Sequence, residues 1–232
     1  MIKIDNNELL KKYIEEFHIH ELFSEDMSEY MELLLWNKNE FICKEGESLN
    51  NLYFIVQGKA KVYKNMSNGK SLLICFCKPL RIIGDAEFTR TNMADCTVQA
   101  IEETYGIGLN FNIIRTKLFT DCKFLFSICK YLGEKLSGAN TNSSINLLYS
   151  LENKLASYIY AFIDGKDNKN LLEFKFEESY SEIAELLGTS YRHLNRTLNK
   201  FCNDGILEKK SKSYRVKDVV KLKMLSGDLY SD

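Results

Sequence analysis

Between residues 182 and 201 the chain reads EIAELLGTSYRHLNRTLNKF, a short stretch that places Tyr191, Arg192, His193, Asn195 and Arg196 within six positions. These side chains are rich in hydrogen-bond donors and carry no acid. An arginine can make a bidentate contact to guanine and an asparagine to adenine on the major-groove edge of a base pair. Ser190 and His193, nearer the start of the segment, are suited to phosphate oxygens. Eight basic residues stand against four acidic ones from 182 to 217, in a chain whose net charge is −1. The composition as a whole excludes a generally basic protein, so any nucleic-acid partner must be met by a local patch, and this is one. A polar helical hairpin packed against a protein partner, its arginines merely solvated, is the alternative.

The elements that must hold these residues can be read from the same segment. Ile183, Ala184, Leu186 and Leu187 supply the inner face of a first helix. Gly188 can take positive φ and turn the chain, and Ser190 can cap a second helix. Leu194 and Leu198 anchor that second helix. Two helices so joined are a helix-turn-helix, whose second member enters the major groove. The following GILEKKSKSYRV predicts a hairpin with Lys209, Lys210 and Lys212 at its tip, a wing suited to phosphates.

Upstream the periodicity changes twice. Residues 1–35 read as helical, with Leu9, Leu10, Tyr13, Ile14 and Phe17, and again Tyr30, Leu33 and Leu34, at helical spacing. From about 40 to 110, NLYFIVQGKAKVYKN and KSLLICFCK read as strands joined at Asn68-Gly69, within a small barrel or sandwich. After 111 the helical period returns: Phe124, Ile128, Tyr131, Leu132 and Leu136 form a stripe, with Gly133 and Gly138 as weak points. Such a stripe fits either the core of the preceding domain or a helix-pairing seam, and the length of the helix favours pairing. The polar run Ser137 to Ser144 is weakly helical and is read as a bending point or linker. Ser150 caps a further helix, LENKLASYIYAFI, and DGKDNKN at 164–170 reads as a turn. No apolar run reaches the length of a membrane span and the N-terminus has no signal-peptide core. Seven scattered cysteines, an odd number, argue against a disulfide framework and for a reduced, cytoplasmic protein.

This layout resembles the CRP/FNR family of transcription regulators. The resemblance runs from CKEGESLNNLYFIVQGKAKVY through IIGDAEF to EIAELLGTSYRHLNRTLNKFCNDGIL, and VQAIEE and LGTSYRHL place it nearest the YeiL-like branch. It implies an α+β architecture. Residues 1–117 would form N-terminal helices and a cyclic-nucleotide-binding-type β-roll, 118–148 a long dimerisation helix and hinge, and 149–232 a winged helix-turn-helix. It further implies a homodimer on a near-palindromic double-stranded DNA site, a transcription activator or repressor according to operator position, with RNA polymerase as a further partner and no membrane.

For the effector pocket the resemblance points to Gly84, Asp85, Glu87, Arg90 and Asp95. Family members that bind cyclic AMP set a Gly-Glu pair on the ribose and an Arg-Ser pair on the phosphate. Here the first pair reads Gly84-Asp85 and the second Ala94-Asp95, and Ala139 and Asn140 stand where the long helix would meet the purine. An aspartate facing a phosphate is repulsive, and Arg90 lies out of register by four residues. The expectation is a β-roll that keeps the architecture without the nucleotide, and no cofactor. The alternatives are a β-roll regulatory module whose helical tail binds a protein partner, and a metal- or redox-sensing regulator built on Cys43, Cys75, Cys77 and Cys96, or on His18 and His20. Two histidines two apart on a helix would, however, point to opposite sides. The N-terminal cysteine cluster of FNR-type members is absent. No P-loop, GxGxxG, HExxH or GxSxG is present, three histidines leave little scope for acid–base chemistry, and the carboxylates Asp85 and Glu87 read as a solvated loop pair. The chain is read as a binding protein and not an enzyme.

Overall fold

A computed structural model describes residues 1–67, 69–163, 172–176, 178–227 and 229; within it the side chains of 142, 143, 145 and 146 are not described. The expected turns at Asn68 and at 164–170 lie outside the described residues. Contacts divide the chain into two compact units, residues 1–64 with 76–139, and 140–231 with 65–75.

The first unit opens with β1 (Ile2–Lys3) and α1 (Asn7–Glu16), whose first turn is capped by Asn6 Oδ1 accepting from the Leu9 amide. Seven strands follow along the chain as β2 (Met31–Trp36), β3 (Phe41–Cys43), β4 (Asn51–Gln57), β5 (Ala60–Asn65), β6 (Ser71–Cys77), β7 (Arg81–Ile83) and β8 (Thr97–Ala100), of which β6 up to Cys75 is grouped by its contacts with the second unit. β9 (Thr104–Asn110) completes two antiparallel-built sheets, ordered β1-β2-β9-β4-β7 and β3-β8-β5-β6. Their facing sides enclose a core that includes Trp36, Phe54, Ile55, Ile107 and Leu109. The helical reading of residues 1–35 fails at its end. Met31–Trp36 is a strand, paired along its length with β9 from Met31↔Leu109 to Trp36↔Thr104. A short apolar run fits a buried strand as well as a helix, and here pairing with a partner 70 or so residues away decides it.

α2 (Phe111–Ile113) passes through a π-turn (Ile114–Leu118) toward α3 (Cys122–Leu148). α3 is unbroken, so Gly133 and Gly138 do not interrupt it. Its apolar residues divide between two faces. Phe124 and Ile128 are buried in the β-roll core, with Tyr131 and Leu132 packed against it. Leu136 faces away, 66% exposed, and so does Phe126 at 74%. The expected single stripe is therefore corrected: most of it is core, and a second face is uncovered.

The second unit holds α4 (Leu151–Ile163), β10 (Glu173–Phe174), α5 (Tyr180–Leu186), α6 (Tyr191–Asn203), β11 (Leu207–Lys209), β12 (Tyr214–Val216) and α7 (Val219–Ser226). β10-β12-β11 form a small antiparallel sheet. Ser150 caps α4 as expected, its hydroxyl accepting from the Asn153 amide at 3.4 Å.

Candidate nucleic-acid interface and β-roll pocket

α5 begins with a capping box: the Ser179 hydroxyl accepts from the Glu182 amide and the Glu182 carboxylate accepts from the Ser179 amide. Ile183, Ala184, Leu186 and Leu187 are buried as the apolar spacing required. Gly188 sits at φ +65, and the amides of Gly188 and Thr189 donate to the carbonyls of Glu185 and Ala184, closing the helix end within one turn. Ser190 then caps α6, its hydroxyl accepting from the His193 amide at 3.3 Å. Leu194, Thr197, Leu198 and Phe201 face inward and fix the helix about its axis.

What α6 turns outward is the set of polar residues singled out above. Tyr191, Arg192, His193 and Arg196 are exposed, and Asn195 is half-buried. Neither Arg192 nor Arg196 pairs with a carboxylate among the described residues, so both guanidinium forks are available to an anion or a base edge. Asn199 is exposed on the same side, seven residues after Arg192, a position the sequence reading passed over although its spacing was visible. Tyr191 packs on Tyr180 at 6.4 Å between ring centroids, and the Tyr180 and Tyr214 hydroxyls share a hydrogen bond of 2.9 Å. These three tyrosines tie α5, α6 and β12 together. Burial, and then the bond to Tyr180, push the Tyr214 phenol well above its ordinary range, so it stays protonated.

The three wing lysines differ. Lys209 lies on β11, opposite Tyr214, and is exposed. Lys210 turns back to Glu208 at 2.8 Å, which holds that carboxyl below its usual range. Lys212 is exposed at the tip, where the Lys210 amide donates to the Ser213 carbonyl at 2.9 Å. Arg215 leans on Glu173 at 3.5 Å and Lys200 on Glu152 at 2.6 Å.

In place of the expected Asp85–Glu87 loop pair, the β-roll residues fall into two groups, Asp85 with Lys135 and Glu87 with Arg90 and Asp95. Asp85 is buried, its side chain 2% exposed. Its Oδ1 accepts from Lys135 Nζ on α3 at 2.6 Å and from the Ala86 amide at 3.1 Å, and Lys135 also donates to the Ile82 carbonyl at 2.7 Å. Asp85 Oδ2 is buried with no partner. Gly84 at φ +97 is required for this close approach, because a Cβ there would stand 2.8 Å from the Asn51 carbonyl oxygen. Arg90 reaches five residues along the chain, to Asp95 Oδ2 at 2.6 Å, while the Asp95 amide donates to Glu87 Oε1 at 3.4 Å. Lys135 had no motif to mark it: it lies 50 residues from Asp85.

The cysteines do not gather into a ligand set. Among the described residues, the one group of three His, Cys, Asp or Glu within ligand reach is His18, His20 and Glu21, all exposed. His18 takes φ 51 ahead of a 3₁₀ turn, which brings its ring 6.2 Å from that of His20 and corrects the expectation that the two diverge. Burial pushes the Cys43 thiol up to about 12 and raises that of Cys96, so both are neutral thiols at physiological pH. No described helix is long and apolar enough to cross a membrane.

Residues 34–113 match the cyclic nucleotide-binding domain and residues 153–225 the Crp-like helix-turn-helix domain. The chain is 31% identical over 205 residues to the regulatory protein YeiL of Escherichia coli O157:H7, covering 88% of this chain and 89% of that one. It is 21% identical over 183 residues to a CRP-like cAMP-activated global transcriptional regulator of Mycobacterium tuberculosis, covering 78% and 82%. In backbone it is similar to a crystal structure from Eubacterium rectale described as a regulator of the crp/fnr family, with a TM-score of 0.73 at 16% identity over 96% of each chain.

Proposed function

The chain belongs to the CRP/FNR family of transcription regulators, and from that premise we propose that it acts as a homodimer on a near-palindromic operator, without a cyclic nucleotide. That it is a regulator with a helix-turn-helix DNA-binding domain follows from the family. The finer reading is carried by α6: two arginines without carboxylate partners, on a helix locked by four buried residues, present their donors outward. Arg192, Asn195, Arg196 and Tyr191 read base edges; Ser190, His193, Lys209, Lys210 and Lys212 meet phosphates. Residues 1–117 act as the effector-type domain, 118–148 as the pairing helix and 149–232 as the DNA-binding domain. An operator beside a promoter makes RNA polymerase the further partner.

Homodimerisation is supported by the uncovered face of α3. Phe126, Cys129, Gly133, Leu136, Asn140 and Leu147 are exposed and fall within an arc of about 80° at 100° per residue. Their three–four spacing is that of a two-helix seam. Independence from cyclic nucleotides is supported by the two ion pairs of the pocket. The Asp85 carboxylate, which replaces a ribose-binding glutamate, is already held by Lys135, and Arg90 is neutralised by Asp95. A phosphate placed beside Asp85 meets a buried carboxylate whose one cation is already engaged, and burying it there is costly.

The test is a titration of duplex DNA selected from a random pool, read by fluorescence anisotropy, with and without cyclic AMP and cyclic GMP. Retention of a palindromic sequence with affinity unchanged by either nucleotide is expected. Low-micromolar nucleotide binding by calorimetry, or selection of no consensus, overturns the reading.

A further inference from the structure

The β-roll unit contains a polar cavity beside the loop that carries Gly84 and Glu87: a Cβ on Gly84 would stand 3.3 Å from Phe111 Cζ, and the Asn92 amide donates to the Glu87 carbonyl. The cavity has a volume of about 370 Å³, at the small end of ligand pockets (~300–1,000 Å³), and it is lined by Asn50, Asn92, Asn110, Phe111, Asn112 and Arg115. The lining is four amides, one ring and one guanidinium, with no carboxylate.

Arg115 is the key residue. It is half-buried in the π-turn after α2, and π-turns recur at functional sites. Nη2 donates to Asn92 Oδ1 at 2.5 Å and to the Phe88 carbonyl at 3.4 Å, both neutral acceptors. The guanidinium carbon stands over the buried Phe111 ring, 5.8 Å from its centroid. Among the described residues no carboxylate pairs with it. Among the described residues the Nε and Nη1 hydrogens have no acceptor. A partly desolvated cation with only neutral partners is a state that an entering anion relieves.

The amides refine the chemistry. Asn110 is committed: its Nδ2 donates to Asn51 Oδ1 at 3.2 Å and its Oδ1 accepts from the Asn112 amide at 2.9 Å. The side chains of Asn50 and Asn112 have no protein partner among the described residues, and each offers both donors and an acceptor. One positive charge suits a single carboxylate better than a phosphate dianion, for which two cations are usual.

We propose that this cavity binds a small hydroxy- or amido-carboxylate, with Arg115 receiving the carboxylate and Asn50 and Asn112 the neighbouring polar group. The site is independent of the operator reading, and its test needs no DNA. The full-length protein is titrated by calorimetry with glycerate and lactate, with lactamide as the uncharged control and inorganic phosphate as the rival oxyanion. Asn112→Asp places a like charge at the cavity while removing no internal contact, and the fluorescence of buried Trp36 checks that the unit stays folded. Saturable binding of a carboxylate is expected, absent for lactamide and weakened about tenfold or more in Asn112→Asp. No saturable carboxylate binding at millimolar concentration, tighter binding of phosphate, or unchanged affinity in Asn112→Asp overturns the proposal.

Discussion

Replacing Lys135 by methionine keeps the unbranched stem of the side chain, one heavy atom shorter, and removes its charge. Asp85 would then retain one bond to Oδ1, from the Ala86 amide at 3.1 Å, and none to Oδ2. Its side chain is 2% exposed, so water does not take over. Breaking a buried ion pair from one side costs about 3–5 kcal/mol. Lys135 is itself 25% exposed, which admits some solvent beside the pair and favours the low end, about 3 kcal/mol. With a urea dependence of ~1–3 kcal/mol/M, the unfolding midpoint of this unit falls by about 1–3 M. The chain has a single tryptophan, Trp36, fully buried in the β-roll core, so its fluorescence reports this unit and not the other. Asp85→Asn should cost less, because the lysine it strands can reach water. The double substitution should recover most of the loss. A midpoint unmoved by Lys135→Met, or a double variant as unstable as the sum of the two singles, refutes the reasoning.

Arg196→Ala should weaken binding to the selected operator by about 1–3 kcal/mol and relax preference at one base pair, measured by anisotropy on a set of point-substituted sites. Lys212→Ala should shallow the salt dependence by about one unit of slope; Lys210→Ala should do less, because Glu208 already holds that ammonium. Leu136→Glu should convert a dimer to a monomer in sedimentation, and oxidation should cross-link the wild type through Cys129 but not the Cys129→Ser variant. Cys122 should react promptly with a thiol reagent at neutral pH, and Cys43 slowly. Because the Cys43 thiol is raised to about 12 in the folded state, its contribution is intact below its ordinary value near 9 and is lost as pH climbs from there toward 12. Cys43→Ala should therefore flatten the alkaline end of the stability profile in urea titrations.

The helix-turn-helix was legible residue by residue because everything that makes it is local. Apolar spacing chose the inner faces of α5 and α6, Gly188 supplied the left-handed turn, and Ser190 supplied the cap, all within 20 positions. The β11–β12 hairpin was legible for the same reason, since alternation and a nearby turn specify it, whereas NLYFIVQGKAKVYKN, read as one strand run, divides into β4 and β5 in different sheets. Other features rest on partners far along the chain, about which periodicity is silent. Met31–Trp36 became a strand because β9 offered a ladder to it. Phe124 and Ile128 became core while Phe126 and Leu136 did not, because only the packed β-roll selects which side of α3 is covered. Asp85 became a buried carboxylate instead of a solvated loop residue because Lys135, a helix and 50 residues away, could reach it. Local pattern determines which elements can form; burial, which only the assembled sheets and helices confer, decided which faces and which charges those elements bring together.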